Sequence, residues 1–355
     1  CHSAYSLLDG ASLPEDLVAR AVALGLKGLA LTDHDDMGGM VRFAQAARDA
    51  GDFPALCGLE LTLAGQGGGP DGQQPDSHLT LLARTVRGYQ HLAELVTHAR
   101  ATLPRGTPRV PREVLAAHAE GLLCLSGCPR GVVPRRVAAG DTLGARREAG
   151  WLREVFGAEH FAVEVHDHGL PEQARLAGGL IRLADELGSP WVVTNNVHYA
   201  LPEQRVVHDV LTCLRTHTTV DTAGRRLRPN AEWHLKGAAA MAHRWRHDLR
   251  GVRASVALAE QCGFRLKQLV PKLPGVALPP EFADADAYLR HLTYEGAHER
   301  WGGQGLTTKH RAQLERELAL IGKKGLAGYF LIMWEIVRFA RSQDILVQGR
   351  GSAAN

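Results

Sequence analysis

The fold is most clearly indicated by residues 28–36, Gly-Leu-Ala-Leu-Thr-Asp-His-Asp-Asp, in which a short apolar run ends at a group of polar side chains. A run of this length and composition predicts a buried β-strand. Similar runs recur at 55–63, 78–83, 122–126, 161–165 and 191–194. Patterns of amphipathic helix lie between them, at 17–24, 41–50, 90–100, 144–156 and 173–187. This alternation predicts a parallel sheet covered by helices.

Side chains of the kinds that bind metal ions lie at or near the ends of these runs and in the first residues of the chain. They are His2, Asp9, His34, Glu60, His78, Cys128, Asn196 and His198. In a closed α/β barrel the carboxyl ends of the strands meet on one face, so these side chains are expected to lie close together. Imidazole and carboxylate groups suit Zn²⁺ or Mn²⁺, and clustered ions would activate water and neutralise phosphate charge.

A histidine at a single strand end more often has a structural role than a metal-binding one. Only the recurrence of metal-ligand residue types at successive strand ends favours a metal-binding role. His166 and His168 are left open between the two roles. The histidines on predicted helices are expected to be surface or structural residues, and they are His91, His98, His118, His208 and His291.

Length and composition predict a globular protein of more than one domain, with 355 residues, 45% hydrophobic and 22% charged. The net charge of +3 is only weakly suggestive of a nucleic-acid partner. No apolar run reaches about 18 residues, so we expect no membrane span. The six cysteines form no C-x-x-C pair, which favours a reducing compartment and a cytoplasmic location.

Helical patterns dominate beyond about residue 200, and the Pro-rich stretch 271–280 predicts a linker. We expect one domain over 1–270, with its metal-binding core in about 1–200, and a second over 271–355. The second has a helical region at 285–341, a short strand at 345–347 and the loop Gly349-Arg350-Gly351-Ser352. In that loop the glycines let backbone N–H groups approach a triphosphate, Arg350 can pair with phosphate oxygens and Ser352 can donate a hydrogen bond. A plain turn is the alternative.

Several motifs carry a family resemblance and occur in the family's order. They are Cys1-His2-Ser3, Leu31-Thr32-Asp33-His34-Asp35, Cys57-Gly58-Leu59-Glu60, Leu125-Ser126-Gly127-Cys128 and Thr194-Asn195-Asn196-Val197-His198-Tyr199. They closely resemble the PHP domain of bacterial C-family DNA polymerases of the DNA polymerase III alpha type. Residues 328–341 and 348–355 resemble the start of the polymerase palm. The resemblance implies a distorted (β/α)7 PHP-type barrel, followed by a mostly helical segment and the beginning of an α/β palm.

The resemblance implies that the eight residues named above match the family's metal positions, with two departures. The first His of an opening His-x-His pair would precede Cys1, and Asn196 stands where the family has Asp. Asn is a neutral and weaker ligand, which disfavours phosphoesterase or proofreading-nuclease activity and favours a structural role for the barrel.

The resemblance also implies an activity for the parent protein, DNA-directed DNA synthesis in replication and repair with primer-template DNA and dNTPs as substrates. The pair Asn195-Asn196 and the Ser-Ala-Ala-Asn ending resemble the damage-inducible, error-prone branch. Sliding-clamp or mutasome partners would bind through regions outside this chain. The aspartates that hold Mg²⁺ for polymerisation are expected beyond Asn355, so no catalytic residue is assigned here.

Two other functions share the same metal-ligand pattern. One is a stand-alone metal-dependent phosphoesterase of the histidinol-phosphatase kind, which the helical region after residue 271 disfavours. The other is a non-enzymatic scaffold that stabilises the polymerase, which Asn196 favours.

Overall fold

The computed structural model describes residues 1–65, 75–101, 103–104, 106–269 and 275–348, except for the side chains of residues 303 and 304. The chain divides into two compact units, Cys1–Leu269 and Val270–Asn355. The predicted phosphate loop of Gly349, Arg350, Gly351 and Ser352 lies outside the described residues, as do residues 271–274 of the predicted linker. No helix in the described residues is long and apolar enough to cross a membrane.

The first unit contains one curled six-stranded sheet whose strands are neighbours in sequence order. The strands are β1 (Leu29–Leu31), β2 (Ala55–Leu63), β3 (Ser77–Ala83), β4 (Leu122–Leu125), β5 (Phe161–Val165) and β6 (Trp191–Val193). All six predicted strands are therefore present, within one or two residues of their predicted bounds.

Helices cover the outer face of this sheet and dominate the rest of the chain. Those of the first unit are α1 (Pro14–Ala23), α2 (Met40–Asp49), α3 (Val86–Ala101), α4 (Arg112–Ala117), α5 (Val132–Ala138), α6 (Thr142–Phe156), α7 (Pro171–Leu187), α8 (Arg205–Thr216), α9 (Val220–Ala223), α10 (Ala238–Arg244) and α11 (Arg250–Gln261). Those of the second unit are α12 (Ala285–Gly305), α13 (Thr308–Lys323) and α14 (Ala327–Ser342).

The prediction of a wholly parallel sheet is wrong at β3, which runs antiparallel to both β2 and β4. The other pairs, β1–β2, β4–β5 and β5–β6, are parallel. A parallel neighbour needs a crossover connection, usually a helix, and the described residues between β2 and β3 form none. Because β3 is reversed, His78 near its start lies opposite Thr62 near the end of β2.

Alternation along the strands separates two apolar cores and fixes which side chains face inward. Leu59 and Leu81 point outward into a core shared with helical residues such as Phe43. Leu56 and Leu82 point inward and pack with Leu258 of α11. Further along the same inward face, towards one rim, the residues become polar, and they are Glu60, His78, Thr80, Glu164, His166 and Thr194.

The first residues of the chain bridge the two ends of the sheet. The Thr32 N–H, after β1, donates to Cys1 O over 2.8 Å, and the His2 N–H donates to Val197 O, after β6, also over 2.8 Å. Backbone hydrogen bonds thus link the end of β1 to the segment after β6 through residues 1 and 2. The ring is completed by this segment and not by a seventh strand in the described chain.

The second unit consists of helices around a small apolar core of Leu289, Ala327 and Leu331. This confirms the helical region predicted over 285–341. The short strand predicted at 345–347 is wrong, because residues 345–348 form no strand and Leu346 is 96% exposed. A strand is stable only when it pairs with another, and the described residues of this unit contain no sheet.

Candidate metal centre

One group of side chains at the rim gathers around the buried carboxylate of Glu60, and we call it the Glu60 cluster. Its other members are His2, His34, His78, Cys128 and Asn196. Glu60 Oε2 lies 3.3 Å from His78 Nδ1 and 3.6 Å from His2 Nε2. Cys128 Sγ lies 3.5 Å from His78 Nδ1, and the ring centroids of His34 and His78 are 4.5 Å apart. Ligand atoms of His34, Glu60 and His78 lie within 4.8 Å of one another, close enough to share one ion.

The hydrogen bonds of His2 prepare it as a ligand. The single proton of the Ser6 hydroxyl is donated to Asp33 Oδ1 at 2.7 Å. Ser6 Oγ, 3.1 Å from His2 Nδ1, must therefore accept from that nitrogen, which assigns the ring proton to Nδ1. The lone pair of His2 Nε2 then faces Asn196 Oδ1 at 3.2 Å and Glu60 Oε2 at 3.6 Å. Three acceptors facing one another are an arrangement that a cation would satisfy.

Electrostatics keep these groups in the protonation states that a metal site needs. Burial alone would raise the pKa of Glu60, but His2, His78 and His34 outweigh it and hold that pKa well below its usual value. Burial lowers the pKa of His2, so its ring gives up its proton to an arriving cation more readily than a free imidazole would. Burial, followed by Glu60, raises the pKa of the Cys128 thiol well above its usual value. A cation would therefore meet an ionised carboxylate and a readily deprotonated imidazole, and would bind Cys128 by displacing its proton.

A second group at the same rim surrounds Asp9, and we call it the Asp9 cluster. Its other members are His198, His208, Arg215 and Arg228. Asp9 Oδ2 lies 3.3 Å from His198 Nδ1, and Asp9 Oδ1 lies 2.6 Å from Arg215 Nη1 and 3.7 Å from His208 Nε2. Ligand atoms of Asp9, His198 and His208 also lie within 4.8 Å of one another.

Arg228 adds a second guanidinium to the Asp9 cluster. Its Nε–H donates to His208 Nε2 over 3.2 Å, and its guanidinium lies 4.4 Å from the centre of the Trp233 ring. Burial lowers the pKa of Arg228 to about 10, so it remains charged at neutral pH. Burial first, and then Arg228, hold the pKa of His198 well below its usual value. The Asp9 cluster therefore has positive charge of its own.

Asp33 holds the loop that supplies residues to both clusters. Its carboxylate accepts from the Ser3 N–H at 2.6 Å, and from the Ser3 and Ser6 hydroxyls at 2.7 Å each. Gly10 lets this loop fold tightly, because a Cβ there would lie 1.8 Å from Ser3 O. The rings of His2 and His198 stack at 4.5 Å, so the two clusters are in direct contact.

The structure places all eight sequence-predicted residues at this rim, six in the Glu60 cluster and two, Asp9 and His198, in the Asp9 cluster. That they bind metal remains a prediction. His208, expected to be a surface or structural residue, is 2% exposed and lies beside Asp9. His168 is not among these ligands, since it stacks on Trp233 at 3.9 Å.

Sequence reasoning also missed Glu164, a buried carboxylate on the inward face of β5. It accepts from the hydroxyls of Thr194 at 2.6 Å and Thr80 at 3.0 Å, and lies 3.3 Å from His166 Nε2. A signal for it was present, because Glu164 alternates with Ala162 and His166 in a strand that is otherwise apolar.

Comparisons with known proteins agree with these features. Residues 1–168 match the PHP domain, and residues 287–355 match the bacterial DNA polymerase III alpha NTPase domain. The chain is 38% identical over 364 residues to DNA polymerase III subunit alpha of Treponema pallidum, covering 100% of the chain and 30% of that protein. It is 39% identical over 374 residues to error-prone DNA polymerase of Symbiobacterium thermophilum, with coverages of 100% and 33%.

The chain thus spans about a third of the length of the curated relatives it matches. Among solved structures, it is similar to a putative metal-dependent phosphoesterase from Bifidobacterium adolescentis. That match has a TM-score of 0.38 and 18% identity, and covers 56% of this chain and 86% of the other.

Proposed function

Because this chain belongs to the family of bacterial DNA polymerase III alpha subunits and error-prone DNA polymerases, we propose that it is the N-terminal part of an error-prone, DNA-directed DNA polymerase. The observation that carries the proposal is the match along the whole chain, with a PHP domain first and the polymerase III alpha domain after it. The parent protein would act on primer-template DNA and dNTPs, in DNA synthesis induced by damage.

The barrel in this proposal binds a divalent cation in the Glu60 cluster. His2, His34 and His78 supply imidazoles, Glu60 supplies a carboxylate and Cys128 a thiol, a set that suits Zn²⁺ and, without the sulfur, Mn²⁺. A cation bound there would act as a Lewis acid towards a phosphate oxygen or a water molecule. Asn196 contributes only a neutral oxygen, which favours a structural role over hydrolysis.

In the polymerase part, Gly349, Arg350, Gly351 and Ser352 are proposed to contact the nucleotide triphosphate. The Mg²⁺-binding aspartates are expected beyond Asn355. Sliding-clamp or mutasome partners, if they bind the parent protein, do so through regions outside this chain. This segment alone is therefore expected not to extend a primer.

Primer extension tests the proposal. The product of the whole gene should incorporate dNTPs on a primed template, and Arg350→Ala should raise its KM for dNTP. The purified 355-residue chain should show no incorporation. Template-dependent synthesis by the segment, or none by the whole product, contradicts the proposal.

Phosphoester hydrolysis at the rim is the second candidate function, and the convergence of acceptors on His2 Nε2 favours it. Zn²⁺- or Mn²⁺-loaded chain can be assayed with p-nitrophenyl phosphate and with a 3′-labelled DNA strand. Turnover that is abolished by Glu60→Gln and retained by Glu154→Gln, at an exposed carboxylate of α6, would support an active centre. Equal turnover by both variants would assign it to a contaminant, and no turnover by the wild type would favour the structural role.

A further inference from the structure

We infer that Arg215 and Arg228 take the place of a metal ion in the Asp9 cluster, so that the barrel holds a divalent cation in the Glu60 cluster alone. That a cation binds in the Glu60 cluster rests on the proposed function. That arginines replace an ion in the Asp9 cluster rests on the contacts made there.

The carboxylate of Asp9 already has a cationic partner. Its Oδ1 accepts a short charge-assisted hydrogen bond from Arg215 Nη1, over 2.6 Å. Arg215 is seven residues, about two helical turns, after His208 on α8, so both side chains reach Asp9 from the same helix face. A metal ion at Asp9 Oδ1 would have to displace this guanidinium.

His208 is likewise committed to an arginine. An imidazole binds a metal through a nitrogen that carries a lone pair, and in the neutral ring only one nitrogen has it. His208 Nε2 accepts the Nε–H of Arg228, so its lone pair is used and the ring proton lies on Nδ1. Of the three ligands that lie within reach of one ion, two are therefore held by guanidinium groups.

Arg228 is fixed in this place by contacts on several sides. Its guanidinium lies over the ring of Trp233, and its carbonyl oxygen accepts from Arg205 Nη2 at 2.8 Å. The carbonyl of Trp233 accepts from the His198 N–H at 2.9 Å, which ties the same tryptophan to the cluster. The charge of Arg228 is thus part of the packed structure and not that of a mobile surface side chain.

The two clusters differ accordingly in charge. The Asp9 cluster combines one carboxylate with two guanidinium groups. The carboxylate of Asp209, 3.9 Å from His208 Nδ1, is paired with Arg205 and adds no net charge, so the group is positive before any ion arrives. Within the described residues, the ion-pair partners of Glu60 are His2 and His78 and include no Lys or Arg. Like charges in a region of reduced dielectric repel strongly, so a divalent cation is favoured at Glu60 and opposed at Asp9.

Metal stoichiometry tests this inference directly. The chain is stripped with a chelator, dialysed against Zn²⁺, freed of loosely bound ions and analysed for zinc by mass spectrometry. We expect one Zn²⁺ per chain in the wild type and in Asp9→Asn. The double variant Arg215→Gln/Arg228→Gln should take up a second Zn²⁺, which addition of Asp9→Asn should abolish. The matched control Arg215→Lys/Arg228→Lys, which keeps both charges, should stay at the wild-type value.

Two results overturn the inference: a wild-type ion that Asp9→Asn removes, or a folded glutamine double variant that gains none. Should the double variant fail to fold by circular dichroism, Arg215→Gln alone is used, since this side chain is 44% exposed. The Asp9→Asn arm in the wild type decides the question independently of either variant. Glu60→Gln tests the proposed cation site separately, because loss of the wild-type ion there supports it, whatever the Asp9 arms show.

Discussion

The Glu60 and Asp9 clusters lie at the same rim, share the loop held by Asp33 and touch through the stacked rings of His2 and His198. Each brings a carboxylate together with two or more histidines. They differ in what surrounds the carboxylate, since Glu60 meets imidazoles and a thiol whereas Asp9 meets Arg215 and lies beside Arg228 with His208 between them. The difference teaches that ligand types alone do not make a metal site. The net charge of the group decides whether a cation or a guanidinium neutralises the carboxylate.

The largest effect is expected from removing the residue that supports both clusters. Asp33→Ala leaves the Ser3 N–H and the hydroxyls of Ser3 and Ser6 without their buried acceptor. We expect the free energy of unfolding to fall by about 3 kcal/mol or more, and Zn²⁺ binding to be lost. Urea denaturation measures the first and zinc analysis the second. Asp49→Ala, at an exposed helical carboxylate of α2, is the control, and an equal urea midpoint for the two variants would contradict the shared support.

A smaller effect, confined to the Glu60 cluster, is expected from Cys128→Ser. Losing the sulfur should weaken Zn²⁺ binding roughly ten- to hundredfold and affect Mn²⁺ far less, because thiolate is a soft ligand that Mn²⁺ does not prefer. Competition with a chromophoric chelator measures both affinities. Cys213→Ser, at another buried cysteine on α8, is the matched control. A parallel loss for both metals would show that Cys128 acts through packing alone.

The pH dependence of stability should report both clusters. The pKa values of His2 and His198 are lowered, by burial first in each case, so the unfolded chain binds more protons than the folded one below about pH 6.5. Stability of the metal-free chain is therefore present above that pH and lost as pH falls, by up to about 1.4 kcal/mol per pH unit for each histidine.

Urea midpoints at a series of pH values between neutral and mildly acidic measure this slope. Arg228→Gln should make it shallower by raising the pKa of His198, because it removes one cause of the lowering, while the contribution of His2 stays. An unchanged slope in that variant would show that the charge of Arg228 does not lower the pKa of His198.

The mildest change expected is a gain. Asn196→Asp adds a carboxylate next to His2 Nε2 in the cluster that lacks arginine, and should tighten Zn²⁺ binding by about tenfold, since affinity rises with ligand charge. Asp tolerates positive φ nearly as well as Asn, so the φ of 40° at this position is no obstacle. Asn195→Asp is the contrasting variant. In the wild type, Asn195 Nδ2 donates to the carbonyls of Glu232 and His234, and an aspartate cannot replace these hydrogen bonds. If Asn195→Asp tightened Zn²⁺ binding and Asn196→Asp did not, Asn196 would not be a ligand of the bound ion.

The strands of the fold could be predicted from the sequence, whereas their arrangement in the sheet could not. The six strands and the main helices follow from local patterns, because burial on alternate or successive positions is a property of neighbouring residues. The direction of β3 is not local, since it depends on a connection that lacks a helix in the described chain and on pairing with β2 and β4. Residues 345–347 show the same dependence on tertiary structure. This apolar run has no neighbouring strand in the described part of its unit, so it does not form a strand.

The candidate site divides in the same way. The residue types and their recurrence at strand ends already indicated His2, Glu60, His78 and the other ligands as a group. Only the tertiary structure showed that His208 and Arg228 belong with Asp9, and that Arg215, 206 positions away in the chain, is its ion-pair partner. Ligand chemistry belongs to each side chain and can be seen in the sequence. The electrostatic balance around a carboxylate depends on distances through space between residues far apart in the chain, and folding alone sets these distances.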